Sequence, residues 1–345
     1  MHNRLTSSEI AKLAGVSRST VSRVINGYDN VPKATHDKVM QVIRKNNYHP
    51  QLSGQLLVGK KTGTLGFFWV KGTSNRIAMD ELSSSYMVSV TELAAKMGYL
   101  MLTCVLENLR EPQNIDWVNK IFMQGRIDAG IFIGVDNDEP LIESLITGGN
   151  IVGIFDHFHD NRTEHNRISV NYEEETGGKI IDYLYGLGHR EIALILGNMN
   201  RYSSVKRRDS FLSAMKRNGI EIRQDWLRAG GLDETAGYQA AIKLLAKCKG
   251  KLPTAICANN DATAFGVYKA LEEANINVPQ EISVTGIDGH IRKLDPGLTT
   301  YAFDYQEVFT SLVSRTIAAV MGEENNPTTE FIRGKLVTRN SCKKI

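Results

Sequence analysis

At 345 residues, 42% apolar and 23% charged, the chain is long enough for two or three globular domains and rich enough in apolar residues to build their cores. No apolar run approaches the ~18 residues of a membrane span, and the polar N-terminus has no signal-peptide core, so a cytoplasmic location is expected. Cys104, Cys248, Cys257 and Cys342 are scattered without a CxxC pair, which argues against a disulfide framework or a zinc site. The net charge of +3 is unevenly spread. Residues 1–60 hold nine Lys and Arg against Glu9, Asp29 and Asp37, a net +6, which leaves −3 on the remainder. A small basic head on a mildly acidic body suits a head that meets a polyanion.

In the head, Thr6-Ser-Ser-Glu9 spells a capping box, with a hydroxyl at the cap and a carboxylate three residues on. Ile10, Ala11, Leu13 and Ala14 supply a short apolar face, and Gly15 permits a left-handed turn. Ser17 caps a second helix whose Val21, Val24 and Ile25 fall on one face. Arg18 and Ser19 lie in its first turn, the part of a recognition helix that reaches base edges. An arginine there can bond guanine O6 and N7 together. Thr20 and Ser22 suit phosphate contacts, which position without specifying. Pro32 opens a third helix with Val39, Val42 and Ile43 as its buried stripe. The pattern predicts a three-helix helix-turn-helix domain over residues 1–49 that binds double-stranded DNA.

His49-Pro50 ends the third helix, and residues 50–61 (PQLSGQLLVGKK) form a linker. Gly54-QLLV-Gly59-Lys60 is one residue short of a phosphate-binding loop, and no strand precedes it, so no nucleotide cradle is expected. From Thr62 onward, apolar β-rich runs alternate with helical periodicity. Strands are predicted at Thr64–Val70, Leu100–Cys104, Ala129–Ile133, Ile151–Phe155, Ile192–Leu196, Ala255–Ala258 and Ser283–Ile287. Helices are predicted at Thr176–Leu187 and Thr235–Lys247. This βαβ order gives an α/β core of doubly wound parallel sheets, and there are enough strands for two subdomains with a cleft between them. Ligands of such folds bind outside the carboxyl ends of the strands.

The run EIAKLAGVSRSTVSRVING, continued by VPKATHDKVMQVIRKNNYHP, resembles the N-terminal signature of the LacI/GalR family of bacterial transcription regulators. GRIDAGIFIG, LGHREIALILG, ANNDATAFGVYKALEEANINVPQEISVTGID, DPGLTT and KLVTRNS resemble that family's core, which is similar to the periplasmic sugar-binding proteins. The resemblance implies that Arg18, Ser19 and Arg23 read bases, and that Thr6, Ser17, Thr20, Ser22, Asn26 and Asn30 contact DNA, mostly its backbone. It implies a hinge helix in residues 50–61, with Leu57 wedged into the minor groove. Gly54 and Gln55 replace the usual alanine and arginine there. The chain is expected to cross between subdomains near residues 160, 290 and 325. The N-subdomain would then hold about 62–160 and 291–325, and the C-subdomain about 161–290 and 326–345.

Four effector-binding residues follow from the same resemblance: Asp156, Arg207, Asn260 and Asp288. Carboxylates, an amide and a guanidinium converging on a cleft suit a polyhydroxylated, sugar-like ligand. Helix capping by either aspartate, a surface role for Arg207 and a turn role for Asn260 are the alternatives. Several positions depart from the family. KGTSNRIAMD (Lys71–Asp80) lacks the usual Asn-Pro-aromatic run and brings Lys71 and Arg76, which leaves an anionic effector open. Leu232 stands where some members stack a tryptophan, and VNYEEETGG differs from the usual acidic turn. Phe68 and Trp69 are either a cleft wall or core. No GxGxxG follows a strand and no Ser/His/Asp or Cys/His arrangement is apparent, so no enzyme activity and no cofactor are expected. His157, His159 and His165 suit a polar connector better than a metal site. The expected function is a repressor, homodimeric on a near-palindromic operator, whose affinity for DNA answers to a small metabolite. The alternative is a cytoplasmic solute-binding protein without an operator.

Overall fold

The computed structural model describes residues 5–48, 61–71, 81–157, 165–248, 250–290, 292–323 and 329–345. Leu57, Arg76, His159 and the linker through residue 60 lie outside the described residues. The chain divides into two compact units, Met1–Gly63 and Thr64–Ile345.

Among the described residues of the first unit are three helices: α1 (Ser7–Ala14), α2 (Arg18–Ile25) and α3 (Lys33–Lys45). The capping box forms as its sequence dictates. Thr6 Oγ1 accepts from the Glu9 amide at 3.3 Å, and Glu9 Oε2 accepts from the Thr6 amide at 2.6 Å. Gly15 closes α1 at φ +60°, a conformation that strains any side chain bearing a Cβ. Ile10, Ala11, Ala14, Val21, Val24 and Val39 bury together, with Val16, Val42 and Ile43 packed around them.

The second unit contains two six-stranded sheets. The first has the order β11-β5-β4-β3-β1-β2, built from β1 (Thr64–Val70), β2 (Leu100–Leu106), β3 (Ala129–Ile133), β4 (Val152–Phe155), β5 (Arg167–Tyr172) and β11 (Thr329–Ile332). All its neighbouring strands are parallel. The second has the order β12-β10-β9-β8-β6-β7, from β6 (Ile192–Leu196), β7 (Leu227–Ala229), β8 (Ala255–Ala258), β9 (Ser283–Asp288), β10 (Thr299–Ala302) and β12 (Lys335–Val337). Only β12 runs antiparallel to its neighbour.

Helices α4 (Glu81–Lys96), α5 (Pro112–Met123), α6 (Pro140–Thr147) and α11 (Tyr305–Met321) belong with the first sheet. Those of the second are α7 (Thr176–Gly186), α8 (Tyr202–Arg217), α9 (Glu234–Lys247) and α10 (Asp261–Glu273). Parallel strands covered on both faces must be apolar throughout, and β3, β4 and β8 are buried at every residue.

The chain passes between the sheets after β5, after β10, and between β11 and β12. Each passage lies later than the expected positions near 160, 290 and 325. β5 and β11 still pair in the first sheet and β10 in the second. β5, β10 and β11 each keep the chain in its own sheet for one element beyond the expected position.

Candidate DNA-binding head and effector cleft

In the head, the second helix begins at a serine with two tasks. Ser17 Oγ accepts from the Thr20 amide at 3.1 Å and lies within 2.8 Å of the Ser19 and Thr20 hydroxyls. That cluster fixes the first turn from which Arg18 and Ser19 project. Arg18 Nε donates to Ser7 Oγ at 3.2 Å, so the guanidinium is steadied from α1. Asn26 Nδ2 donates to Ser22 Oγ at 3.3 Å. Thr6, Ser17, Arg18, Ser19, Ser22, Arg23 and Asn30 are exposed, while Thr20 and Asn26 are half-buried. The two helices turn their apolar faces to one another, and the exposed side of α2 carries the hydroxyls and arginines.

In the core, the strand ends of the two sheets converge on one polar cluster. Arg207, one-third of the way along α8, is buried. Its Nη2 donates to Asp288 Oδ1 and its Nη1 to the Asn259 carbonyl, both at 2.8 Å. The guanidinium carbon stands 4.9 Å from the centroid of the Tyr172 ring. Burial works against the guanidinium charge, but the Asp288 carboxylate more than offsets it and holds the Arg207 pKa above its ordinary value. Asp288 ends β9 at φ +124°, a rare conformation for a residue with a side chain.

Asp261 holds that loop in place. Its carboxylate accepts from Gly289 N at 2.9 Å, His290 N at 2.6 Å and Thr300 Oγ1 at 2.6 Å. Burial, then the nearby Asp288 charge, push its pKa up to about 7 despite these three donors.

Asp156 follows β4 in the first subdomain, at φ +61°. Its Oδ1 accepts from the Ser203 amide at 2.7 Å and its Oδ2 from Ser203 Oγ at 2.8 Å. Ser203 is the second residue of α8, so an aspartate of one subdomain caps a helix of the other. Burial of the carboxyl raises its pKa, and Ser203, Arg201 and Arg207 offset that only in part. Arg201 adds a second link across the cleft, from Nη1 to the Val135 carbonyl at 3.1 Å, and Asn137 N donates to the Asn200 carbonyl at 2.8 Å.

Asn260 is the N-cap of α10: its Oδ1 accepts from Thr263 N at 2.8 Å and its Nδ2 donates to the Leu232 carbonyl at 3.0 Å. Leu232 itself is partly exposed. Phe68 is fully buried and stacks on Phe132 with centroids 4.5 Å apart, so it is core; Trp69 packs on the apolar cluster of the sheets. Lys71 is half-buried, and its amide donates to the Leu106 carbonyl at 2.8 Å. His157 is buried with Nε2 3.1 Å from the Asn137 carbonyl, and His165 is exposed.

Sequence reasoning missed several residues of this cluster. Ser203 lies four residues before Arg207 and so on the same helical face, a spacing that was available in the sequence. Tyr172 and Tyr305 bring their hydroxyls within 3.3 Å of each other, and the tilted Phe303 ring has its centroid 4.5 Å from that of Tyr172. Asn259 Oδ1 and Arg207 Nε, both buried, have no hydrogen-bond partner among the described residues. Nothing in the local sequence marks those atoms as unsatisfied.

A helix-turn-helix head joined to two parallel α/β subdomains with a polar cleft defines a ligand-responsive type of transcription regulator. Residues 6–51 match the description "Bacterial regulatory proteins, lacI family", and residues 181–342 match "Periplasmic binding protein-like domain". The chain is 30% identical over 301 residues to the HTH-type transcriptional repressor PurR of Histophilus somni (strain 129Pt), covering 86% of each chain. It is 27% identical to the repressor of that name from Vibrio parahaemolyticus serotype O3:K6 (strain RIMD 2210633), over 99% of each. Among solved structures, the Lac repressor dimer bound to operator and the anti-inducer ONPF has a similar fold, with a TM-score of 0.79 at 23% identity over 99% of this chain and 100% of that one. A complex of the transcriptional regulator CelR with cellobiose superposes with a TM-score of 0.73 at 22% identity, over 98% and 100%. The chain belongs to the lacI family of bacterial regulatory proteins and is a DNA-binding transcription repressor.

Proposed function

We propose that the chain represses transcription as a homodimer on a near-palindromic operator and that a small polyhydroxylated metabolite, a sugar or sugar derivative, controls its hold on DNA. Arg18, Ser19 and Arg23 read bases. Thr6, Ser17, Thr20, Ser22, Asn26 and Asn30 position the head on the duplex, and Leu57 bends it. The effector meets Asp156, Arg207 and Asp288, with Asn260 offering its remaining amide hydrogen. Two-fold symmetry matches one head to each half-site. The free edge of the first sheet supports pairing, since β2 exposes Leu100 and Val105 and α4 exposes Val88.

The observation that carries the effector reading is the state of the buried cleft groups. Arg207 is neutralised by Asp288, yet Arg207 Nε and Asn259 Oδ1 keep a donor and an acceptor unspent. A buried polar atom without a partner costs about 1–3 kcal/mol, which a ligand bearing hydroxyls would recover. The CelR–cellobiose complex and the anti-inducer on the Lac repressor support a small ligand in such a core. An anionic effector is less well supported, because the Arg207 charge is already met by Asp288 and Arg201 lies beside Asp136 at 3.4 Å.

Two measurements test this. Fluorescence anisotropy on the DNA upstream of the chain's own gene should show tight, sequence-selective binding that Arg18→Ala weakens. Unchanged affinity and preference in that variant would remove the base-reading role. A thermal-shift screen of sugars, sugar phosphates and nucleosides should find a ligand that raises the midpoint of the wild type and not of Arg207→Ala. A hit confined to sugar phosphates overturns the neutral-ligand assignment.

A further inference from the structure

Three stretches of backbone join the two subdomains, and one carboxylate sits on the first, bonds to the third and meets the strand that leads into the second. Glu173 follows β5 on the first stretch. Its amide donates to the Ile332 carbonyl at 3.0 Å, at the end of β11. Its Oε1 accepts from Tyr301 Oη at 2.5 Å and from Gly334 N at 2.8 Å. Tyr301 lies in β10, which leads into the second stretch, and Gly334 is part of the third. Its Oε2 accepts from Lys179 Nζ at 2.5 Å, in the first turn of α7. Lys179 Nζ also reaches Tyr301 Oη at 2.9 Å, so amine, phenol and carboxylate close a ring. The Tyr301 hydroxyl has a single proton, and the charged acceptor Glu173 claims it in preference to the Gly334 carbonyl 2.8 Å away.

The third stretch approaches so closely that a Cβ on Gly334 would stand 2.5 Å from Tyr301 Cε1 and 2.6 Å from the Ala302 carbonyl. Glu173 is largely sheltered, with 14% of its side chain exposed. Burial alone would raise its pKa, but the bonds from Lys179, Tyr301 and Gly334 outweigh burial and lower it. This is also the segment, VNYEEETGG, that departs from the family's usual acidic turn.

Any change in the angle between the subdomains has to twist or shear these three stretches against one another. The geometry points to Glu173 as the positioning residue of the hinge: its carboxylate clamps the three crossovers together and fixes the angle between the subdomains. Glu173 is not among the residues proposed to meet the effector, and it acts through the backbone it holds. The regulatory consequence, that this clamp sets how readily the cleft opens for an effector, rests on the function proposed above.

The test reads the hinge directly and without an effector. Nitroxides are placed on exposed positions of the two subdomains, at Gln113→Cys in α5 and Lys243→Cys in α9, in a background where Cys248 and Cys342 are serine. Electron–electron double resonance is then recorded on labelled protein diluted with unlabelled protein. The clamp predicts one narrow distance population for the otherwise wild-type chain. Glu173→Gln, which sets an amide N–H against Lys179 Nζ, and Tyr301→Phe, which removes the hydroxyl, should each broaden it or add a second population. Tyr301→Phe leaves the charges in place and decides the matter if Glu173→Gln does not fold. A wild-type distribution in the folded variants overturns the hinge assignment and leaves the effector reading standing. Failure of the ligand screen leaves the hinge assignment untouched.

Discussion

Arg207 and Asp288 form a buried ion pair at 2.8 Å that joins α8 to the end of β9. Removing one partner of such a pair strands the other charge in a low-dielectric site, at a cost of roughly 3–5 kcal/mol. Arg207→Ala should therefore lower the unfolding free energy by about that amount, since it also abandons the Asn259 carbonyl. Replacing both residues by apolar ones of similar volume should restore most of it. Urea denaturation of the two single variants and the double variant checks this. Equal stabilities across the set would mean that the pair contributes nothing.

Asp261 gives the core a pH dependence of defined sign. Its folded pKa, about 7, lies above the ordinary 3.8. Between those values the folded chain binds more protons than the unfolded one, so stability falls as pH rises through that window. Asp261→Asn should flatten this slope. The amide oxygen can still accept from Gly289 and His290 N, and its nitrogen can donate to Thr300 Oγ1. Denaturation midpoints at several pH values between 5 and 8 for both proteins supply the comparison; identical slopes would sink the assignment.

Helices α9 and α10 cross with backbone almost in contact. A Cβ on Gly266 would lie 2.0 Å from the Glu234 carbonyl and 2.4 Å from Tyr238 N, and one on Gly237 would lie 2.2 Å from the Thr263 carbonyl. None of these atoms can swing aside as a side chain would. Gly266→Ala should destabilise the second subdomain by about 1–3 kcal/mol or more, although alanine favours a helix by ~1 kcal/mol. Thermal denaturation gives the answer, and a midpoint at or above wild type would count against the close crossing.

In the head, Ser17→Ala removes the cap of the second helix and should cost about 1 kcal/mol. It should also loosen Arg18 and Ser19, because their turn is built on that hydroxyl. Hydrogen exchange of the α2 amides measures the first effect, and DNA affinity measures the second. Arg23→Ala should reduce the slope of log affinity against log salt by about 1 if it meets a phosphate, and relax sequence preference if it meets a base.

Much of this architecture could be read from the residues. β1, β3, β6 and β8 occupy the apolar runs that predicted them, since strands buried on both faces leave an unbroken apolar signature. β5 was not legible for the opposite reason. In RISVNY the buried positions include Arg167, Ser169 and Asn171, and composition there suggests a surface. β10, β11 and β12 are too short to show a period. The head was legible almost to the residue, because capping and turn chemistry are local. The cleft was not, because its geometry is set by residues distant in sequence. Asp156 meets Ser203, and Tyr172 meets Tyr305, across spans that no local pattern encodes.

The bond between Asp156 and Ser203 has a bearing on how any effector constant should be understood. The carboxylate proposed to grip the ligand already has an occupant within the same chain, held by two bonds of 2.7 and 2.8 Å. A ligand that takes Asp156 enters as a competitor to this internal surrogate, and its apparent affinity is the intrinsic one scaled by the fraction of molecules in which Ser203 has let go. Ser203→Ala would remove the hydroxyl contact and leave the amide, weakening the incumbent without touching the carboxylate. Tighter effector binding by that variant would show that responsiveness is tuned by what the ligand must evict.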